Sequence, residues 1–234
     1  GNMIDLALPL SNRECLERIR KTMDAVEDLD EAYIRLLLTR GVGELSYDPT
    51  KCLTPSLVII VKPHVNIQKE LRTNGVNVAL TSIIRNHPAS VNPKIKSNNL
   101  LNNALAMQEA LKQNAYEGLM RNYKGDLVEC SQSNFFLVQN AVALTPAVSD
   151  GLLEGITRNF IFEVGEELGI PVRESVLRDA DLATADEAFL TSTTREIIPI
   201  VRVGSTTIGN GSPGPITKSL LEGLQAKAFA MTAT

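Results

Sequence analysis

The sequence predicts an α+β fold, or more broadly a mixed α/β one. Strand-like and helix-like patterns alternate along the chain, with hairpin signals in both halves. The 234 residues are 44% hydrophobic and 21% charged, enough for a sizeable core, and carry no repeats or low-complexity tracts. That length suits one large domain or two modest ones. The stretch from Pro63 to Gly75, rich in Lys, Asn and Gln, is the best connection between two. The expected division is a small α/β domain over 1–66, a linker over 67–75 and a large domain over 76–234.

Each element has a local reason. Ser11 and Glu14 have the spacing of a capping box and open a helix with an apolar stripe of Leu16, Ile19, Met23 and Val26. Ala32–Leu38 and Leu57–Val61 read as strands, the first ending in the glycine-rich turn Thr39-Arg40-Gly41-Val42-Gly43. Val76–Arg85 is a third strand, and the proline-containing loop from Asn86 to Pro93 leads to Lys96. Beyond Lys96, the apolar residues Leu100, Leu101, Ala104 and Leu105 form one helical stripe, which predicts a helix lying on a core. Tyr116–Arg121 and Leu127–Ser131 are strands about a hairpin turn with Gly125 at its tight point; Asn134–Val138 and Ala141–Thr145 follow. A helix runs from about Gly155 to Leu168, closed by Gly169 and broken by Pro171. Val172–Leu177 reads as a strand, Leu182–Glu187 as a short helix, Ala188–Leu190 as a strand, 209–215 as a loop and Ile216–Phe229 as a terminal helix.

Composition narrows the function. The net charge is −4 with no basic block, so nothing asks for nucleic acid. No apolar run approaches the roughly 20 residues that span a bilayer. Cys15, Cys52 and Cys130 are few and widely spaced, which fits reduced thiols and a cytoplasmic protein better than a disulfide frame. Two histidines, each beside a proline, and no His/Cys cluster argue against a metal site.

Four features carry chemistry. Lys96, at the expected mouth of a packed helix, would be shielded yet open on one side, a setting that favours a neutral nucleophilic amine. Alone it reads as a surface lysine. Glu129 falls where two apolar strands meet and is expected to be half buried, which demands a partner; a distant arginine is the plain alternative. The N–H groups at 155–157 make a helix N-terminus suited to an anion. Thr191, Ser192, Thr193 and Thr194 offer four successive hydroxyls to a phosphate, or a solvated turn. Pyridoxal 5'-phosphate asks for this set: an amine to hold it, a carboxylate at its ring nitrogen, and backbone donors and hydroxyls for its phosphate. Arg35 and Arg40 are candidates for gripping an anionic substrate, since a guanidinium binds a carboxylate bidentately.

These residues resemble the fold-type IV pyridoxal-phosphate enzymes, the class IV aminotransferases, over nearly the whole chain. The resemblance implies a two-domain D-amino acid aminotransferase-like fold. In Ile-Lys-Ser-Asn-Asn-Leu-Leu it marks Lys96 as the Schiff-base lysine and general base. In Val-Glu-Cys-Ser-Gln-Ser-Asn-Phe-Phe it marks Glu129 as the pyridinium partner. It assigns Ile156 and Thr157 to the phosphate-binding helix start, Ser192 and Thr193 to a second phosphate contact, and Thr194 to the substrate. The family's further phosphate-binding arginine and an N-terminal aromatic would lie upstream of Gly1, so an additional segment is expected and the small domain is read as incomplete. Substrate features divide. Tyr33-Ile34-Arg35 is similar to the branched-chain pattern, whereas Arg40 in Thr39-Arg40-Gly41, together with Leu100, is similar to the D-amino acid pattern. The expectation is transamination between an aliphatic, branched-chain amino acid and a 2-keto acid, by a homodimer with no nucleic-acid or membrane partner. The alternatives are a D-amino acid aminotransferase, an aminodeoxychorismate lyase of the same fold, and a catalytically silent relative.

Overall fold

The computed structural model describes residues 1–27 and 29–232, and they fall into two compact units, Gly1–Asn66 and Ile67–Thr234. Among the described residues no helix is long and apolar enough to cross a membrane.

In the first unit, helix α1 (Asn12–Met23) begins with the expected capping box: Ser11 N–H donates to Glu14 Oε2 at 2.8 Å and Glu14 N–H to Ser11 Oγ at 3.3 Å. Its half-buried face is Cys15, Ile19 and Met23, with Leu16 turned outward. Strands β1 (Ala32–Thr39) and β2 (Ser56–Pro63) pair antiparallel, Arg35 opposite Ile60, and α1 packs on β2.

The second unit begins with a departure from the expected linker. Within 67–75 the chain forms a short helix, α2 (Lys69–Thr73), that packs Ile67 and Leu71 on the core. Arg72 on α2 bonds Glu196 at 2.7 Å. Two apolar side chains four apart in a polar stretch suffice to dock one helical turn. The chain continues through β3 (Val76–Ile84), α3 (Leu101–Lys112), β4 (Glu117–Arg121), β5 (Leu127–Cys130), β6 (Asn134–Gln139) and β7 (Val142–Thr145). Then come α4 (Ile156–Leu168), β8 (Val172–Glu174), α5 (Asp179–Leu182), β9 (Glu187–Ser192), β10 (Glu196–Val203), β11 (Thr206–Thr207) and α6 (Pro215–Thr232). The short helix expected at Leu182–Glu187 thus lies earlier, and Glu187 opens a strand. The expected strand to Leu177 stops at Glu174, with Leu177 making an isolated bridge to Leu127.

The strand pairings close on themselves. β10 pairs with β3, β3 with β4, β4 with β5, β5 with β6, β6 with β9, and β9 with β10 again. Strands β7 and β8 extend the sheet from β6, and β11 extends it from β10. All six ring strands feed one apolar cluster that includes Val78, Leu119, Leu127, Phe135, Leu190 and Ile198. Alternate residues of β6, β9 and β10, namely Phe136, Val138, Phe189 and Ile197, join α4 and α6 residues in a second cluster outside the ring. Phe136 and Phe189 are direct cross-strand partners, stacked at 4.7 Å. Burial on both faces explains why these strands read as continuous apolar runs.

Helix α3 lies on β3 and β4 with the opposite face from the one the apolar stripe predicted. Ala106 and Ala110 are buried, whereas Leu101 is 67% and Leu105 43% exposed. The approach is too close for leucine: a Cβ on Gly118 of β4 would stand 2.7 Å from the Ala106 carbonyl oxygen. Polar residues flank the small ones and tie the helix down. Asn103 Nδ2 donates to Ser131 O at 2.9 Å, and Glu109 accepts from Ser82 N–H at 2.9 Å.

Candidate active site

Strand register places Glu129 in one row with Asn134 and Thr191. Glu129 on β5 faces Asn134 on β6, and Asn134 faces Thr191 on β9. Directly paired residues project to the same face, here the outer face of the ring that also carries Phe136 and Phe189. The Glu129 carboxylate is almost fully buried and has three donors. Arg85 Nε binds Oε1 at 2.6 Å; the Leu153 N–H at 3.1 Å and Asn134 Nδ2 at 3.5 Å bind Oε2. Burial pushes the Glu129 carboxyl above its ordinary range; the charge and hydrogen bond of Arg85, the Leu153 N–H and the charge of Lys96 pull the other way. The expected partner-seeking carboxylate is therefore answered by Arg85, 44 residues away, a partner that sequence proximity could not reveal.

The start of α4 lies beside Asn134. Asn134 Nδ2 donates to Leu153 O at 2.8 Å, and a Cβ on Gly155 would meet Asn134 Oδ1 at 2.0 Å, so a side chain at 155 would displace the Asn134 amide. Gly155 is the N-cap and supplies no side-chain cap. The first N–H groups of α4, at Ile156 and Thr157, thus have no intrahelical or capping acceptor, which is the condition for holding an anion. Thr157 is buried and Ile156 exposed. Arg158 anchors this first turn, donating from Nη2 to Pro146 O at 2.8 Å and to Glu174 Oε1 at 2.6 Å.

Ser192 ends β9, and Thr193 and Thr194 form the exposed turn that follows. Arg195 Nε donates to Ser192 Oγ at 3.0 Å, which leaves the hydroxyl hydrogen to donate elsewhere. Arg195 Nη1 reaches the fully buried Glu117 at 2.5 Å. Glu117 also accepts from Gln132 N–H at 2.7 Å and from the Ser131 and Ser133 hydroxyls at 3.2 Å. One carboxylate thereby joins the 131–133 turn to the 192–195 turn. The Thr191 hydroxyl is buried without a hydrogen-bond partner, next to this turn.

Lys96 departs from expectation. It lies in the loop before α3, five residues short of the first helical residue Leu101, and is exposed rather than shielded by packing. The loop is nonetheless fixed. Asn102 closes its base, accepting from Arg85 Nη1 at 3.0 Å and donating to Ile84 O at 2.8 Å. Lys94 pairs with Glu154 at 3.8 Å, just ahead of α4, and a Cβ on Gly151 would lie 3.3 Å from Pro88. The two arginines singled out for a carboxylate belong to the first unit. Arg35 is exposed on β1, and the Arg40 guanidinium is committed to the carbonyls of Ile4 and Asp5, a strut rather than an open clamp.

The model of the amino-transferase class IV family matches residues 2–203. The chain belongs to the class IV aminotransferases. That family is pyridoxal-phosphate-dependent, and the chain is an aminotransferase of it. A protein of Methanocaldococcus jannaschii, provisionally named a branched-chain-amino-acid aminotransferase, is 39% identical over 216 residues, 92% of this chain and 73% of that protein. A D-alanine aminotransferase of Staphylococcus aureus is 34% identical over 227 residues, 96% of this chain and 78% of the relative. The crystal structure of the Escherichia coli branched-chain amino acid aminotransferase superimposes with a TM-score of 0.89 at 29% identity, covering 98% of this chain and 74% of that one. The Thermoproteus uzoniensis branched-chain aminotransferase solved with norvaline gives 0.87 at 31% identity, covering 96% and 73%.

Arg85, Asn134, Glu117 and Arg195 were not singled out by sequence. Only Asn134 carried a signal, its place in the Glu-Cys-Ser-Gln-Ser-Asn segment. Cys130, between Glu129 and the 131–133 turn, has its thiol pushed well above the usual range by burial and by the Glu117 charge. Titration of the native enzyme with a thiol reagent at pH 8 is expected to modify the half-buried Cys15 and Cys52 and spare Cys130 until denaturant is added. Immediate reaction of all three would show that the 130–133 segment opens in the native state.

Proposed function

We propose that this aminotransferase holds pyridoxal 5'-phosphate through Lys96, Glu129, Ile156, Thr157, Ser192 and Thr193. It moves an amino group between an aliphatic, branched-chain L-amino acid and a 2-keto acid. The observation that carries the reading is the row Glu129–Asn134–Thr191 across three neighbouring strands, with the uncapped start of α4 packed on Asn134. The residues suit the cofactor chemically. An oriented, buried carboxylate matches a protonated ring nitrogen, and free helix N–H groups with the Thr157 and Ser192 hydroxyls match a phosphate. When bound, the cofactor supplies an electron sink for the carbanion formed at the substrate α-carbon. Lys96 Nζ would hold the cofactor covalently; once the incoming substrate amine takes its place, the freed amine would take the α-proton as general base and give it back as general acid. Glu129 would keep its hydrogen-bonded orientation throughout, and Thr194 would face the substrate. Arg35, in the Tyr33-Ile34-Arg35 pattern, would line the substrate pocket. The exposed leucines of α3, Leu101 and Leu105, provide an apolar face that supports packing of a second copy into a homodimer.

D-Alanine is the second substrate reading, favoured by the 34% identity to D-alanine aminotransferases. A donor panel separates the two. With added cofactor and a 2-keto acid, L-leucine is expected to yield its keto acid faster than D-alanine does. The reverse order selects the D-amino acid reading. Pyruvate released from aminodeoxychorismate without any keto acceptor selects the lyase, and no product from any donor overturns the proposal.

A further inference from the structure

We infer that Arg85 is a positioning residue, which orients the Glu129 carboxylate for the cofactor ring and couples it to the base of the Lys96 loop. The inference rests on the cofactor site proposed above. Arg85 follows the last residue of β3, Ile84, and its guanidinium divides between two acceptors. Nε donates to Glu129 Oε1 at 2.6 Å, and Nη1 donates to Asn102 Oδ1 at 3.0 Å. Both side chains of the ion pair are below 10% exposed.

The geometry has three consequences. First, a buried carboxylate without a cation tends to take up a proton, and a protonated Glu129 would lose the negative charge that balances a protonated ring N–H. Arg85 opposes that protonation, as the one ion-pair partner of Glu129 among the described residues; Lys96 acts in the same direction, and Cys130 is a further titratable neighbour. Second, Oε2 is turned by the Leu153 N–H and by Asn134, so Arg85 on Oε1 fixes the carboxylate plane. A carboxylate offers about four lone-pair sites; three are taken here, and one remains for a fourth donor. Third, the Asn102 side chain that receives Arg85 also accepts from Asn86 N–H at 3.4 Å and donates to Ile84 O. Residues 86 and 102 bound the Lys96 loop, so the ion pair and the loop share one anchor. Glutamine at position 85 would lose the charge and one of the two donations together.

The test uses the full chain with 13C-carboxyl-labelled glutamate, the Glu129 signal being assigned by its loss in Glu129→Gln. In Arg85→Gln, the Glu129 carboxyl is expected to titrate about 1–3 pH units higher than in the wild type, and Arg85→Lys is expected to lie between them. The same titration read at Arg85 Nε in the wild type needs no substitution, and its signal is expected to move with the Glu129 midpoint. With pyridoxal phosphate labelled at the ring nitrogen, the 15N shift is expected to report a protonated ring in the wild type and a smaller protonated fraction in Arg85→Gln. An unchanged carboxyl titration in folded Arg85→Gln, or an Arg85 Nε signal that ignores Glu129, overturns the inference. A shifted carboxyl titration in a wild-type protein that never binds the cofactor would instead sink the cofactor site while leaving the Arg85–Glu129 coupling standing.

Discussion

Lys96→Ala is expected to remove transamination and, with it, the visible absorption of covalently held cofactor. Loss of a positioned general base alone costs about 10²- to 10⁴-fold, and the same substitution removes the covalent tether. The control is Lys94→Ala, two residues away on the same loop. Lys94 makes a half-exposed ion pair with Glu154 at 3.8 Å, and such a pair contributes about 0–1 kcal/mol. Lys94→Ala is therefore expected to keep both the absorption and the activity within a few-fold. Equal losses in the two variants would show that the loop, rather than the Lys96 amine, carries the effect. Retained activity in Lys96→Ala would move the chemistry to another group.

Glu117→Ala is expected to have the largest effect on stability. Glu117 is fully buried at the start of β4 and accepts from Arg195, Gln132, Ser131 and Ser133. Alanine leaves a largely buried guanidinium without its carboxylate, and breaking such a pair costs about 3–5 kcal/mol. Denaturant unfolding would register this as a lower midpoint at unchanged slope. Glu117→Gln, which retains an acceptor oxygen but not the charge, is expected to lose less. Because Arg195 also donates to Ser192 Oγ, the alanine variant should weaken binding of the cofactor phosphate as well. The exposed pair Arg13–Glu17, at 3.8 Å on α1, provides the contrast: its removal should leave stability essentially where it was. A Glu117→Ala midpoint equal to that of the wild type would mean that water reaches and satisfies Arg195.

Features whose partners lie within a few residues are legible in the sequence. Ser11 and Glu14 form their capping box, Gly125 turns its hairpin at φ 88°, and Gly169 closes α4 at φ 68°. In each case chain geometry already holds the partners together, so residue type decides the outcome. The candidate site is legible to the same depth. Glu129, the α4 start and the 191–194 hydroxyls can be named because each is an unusual residue type in its local pattern.

What the residues face is decided by tertiary structure. The α3 stripe has the helical period the sequence shows, yet its leucines turn outward, because the close approach at Gly118 and Ala106 admits only small side chains. Strand β10 has no counterpart among the expected elements, and it carries Pro199 in its interior. The pairing of β10 with β3 starts only at Ile200, so Pro199 has a neighbour on one side alone, where a missing N–H is tolerated. Lys96 was expected in a packed helix mouth and stands in an exposed loop, held from its base by Asn102. Local residue patterns set the elements, the caps and the chemical types that the site would use. Closure of the six-strand ring, the outward face of α3 and the pairing of Arg85 with Glu129 depended on residues tens of positions apart. A periodic pattern states which side of an element is apolar; only packing states what that side meets.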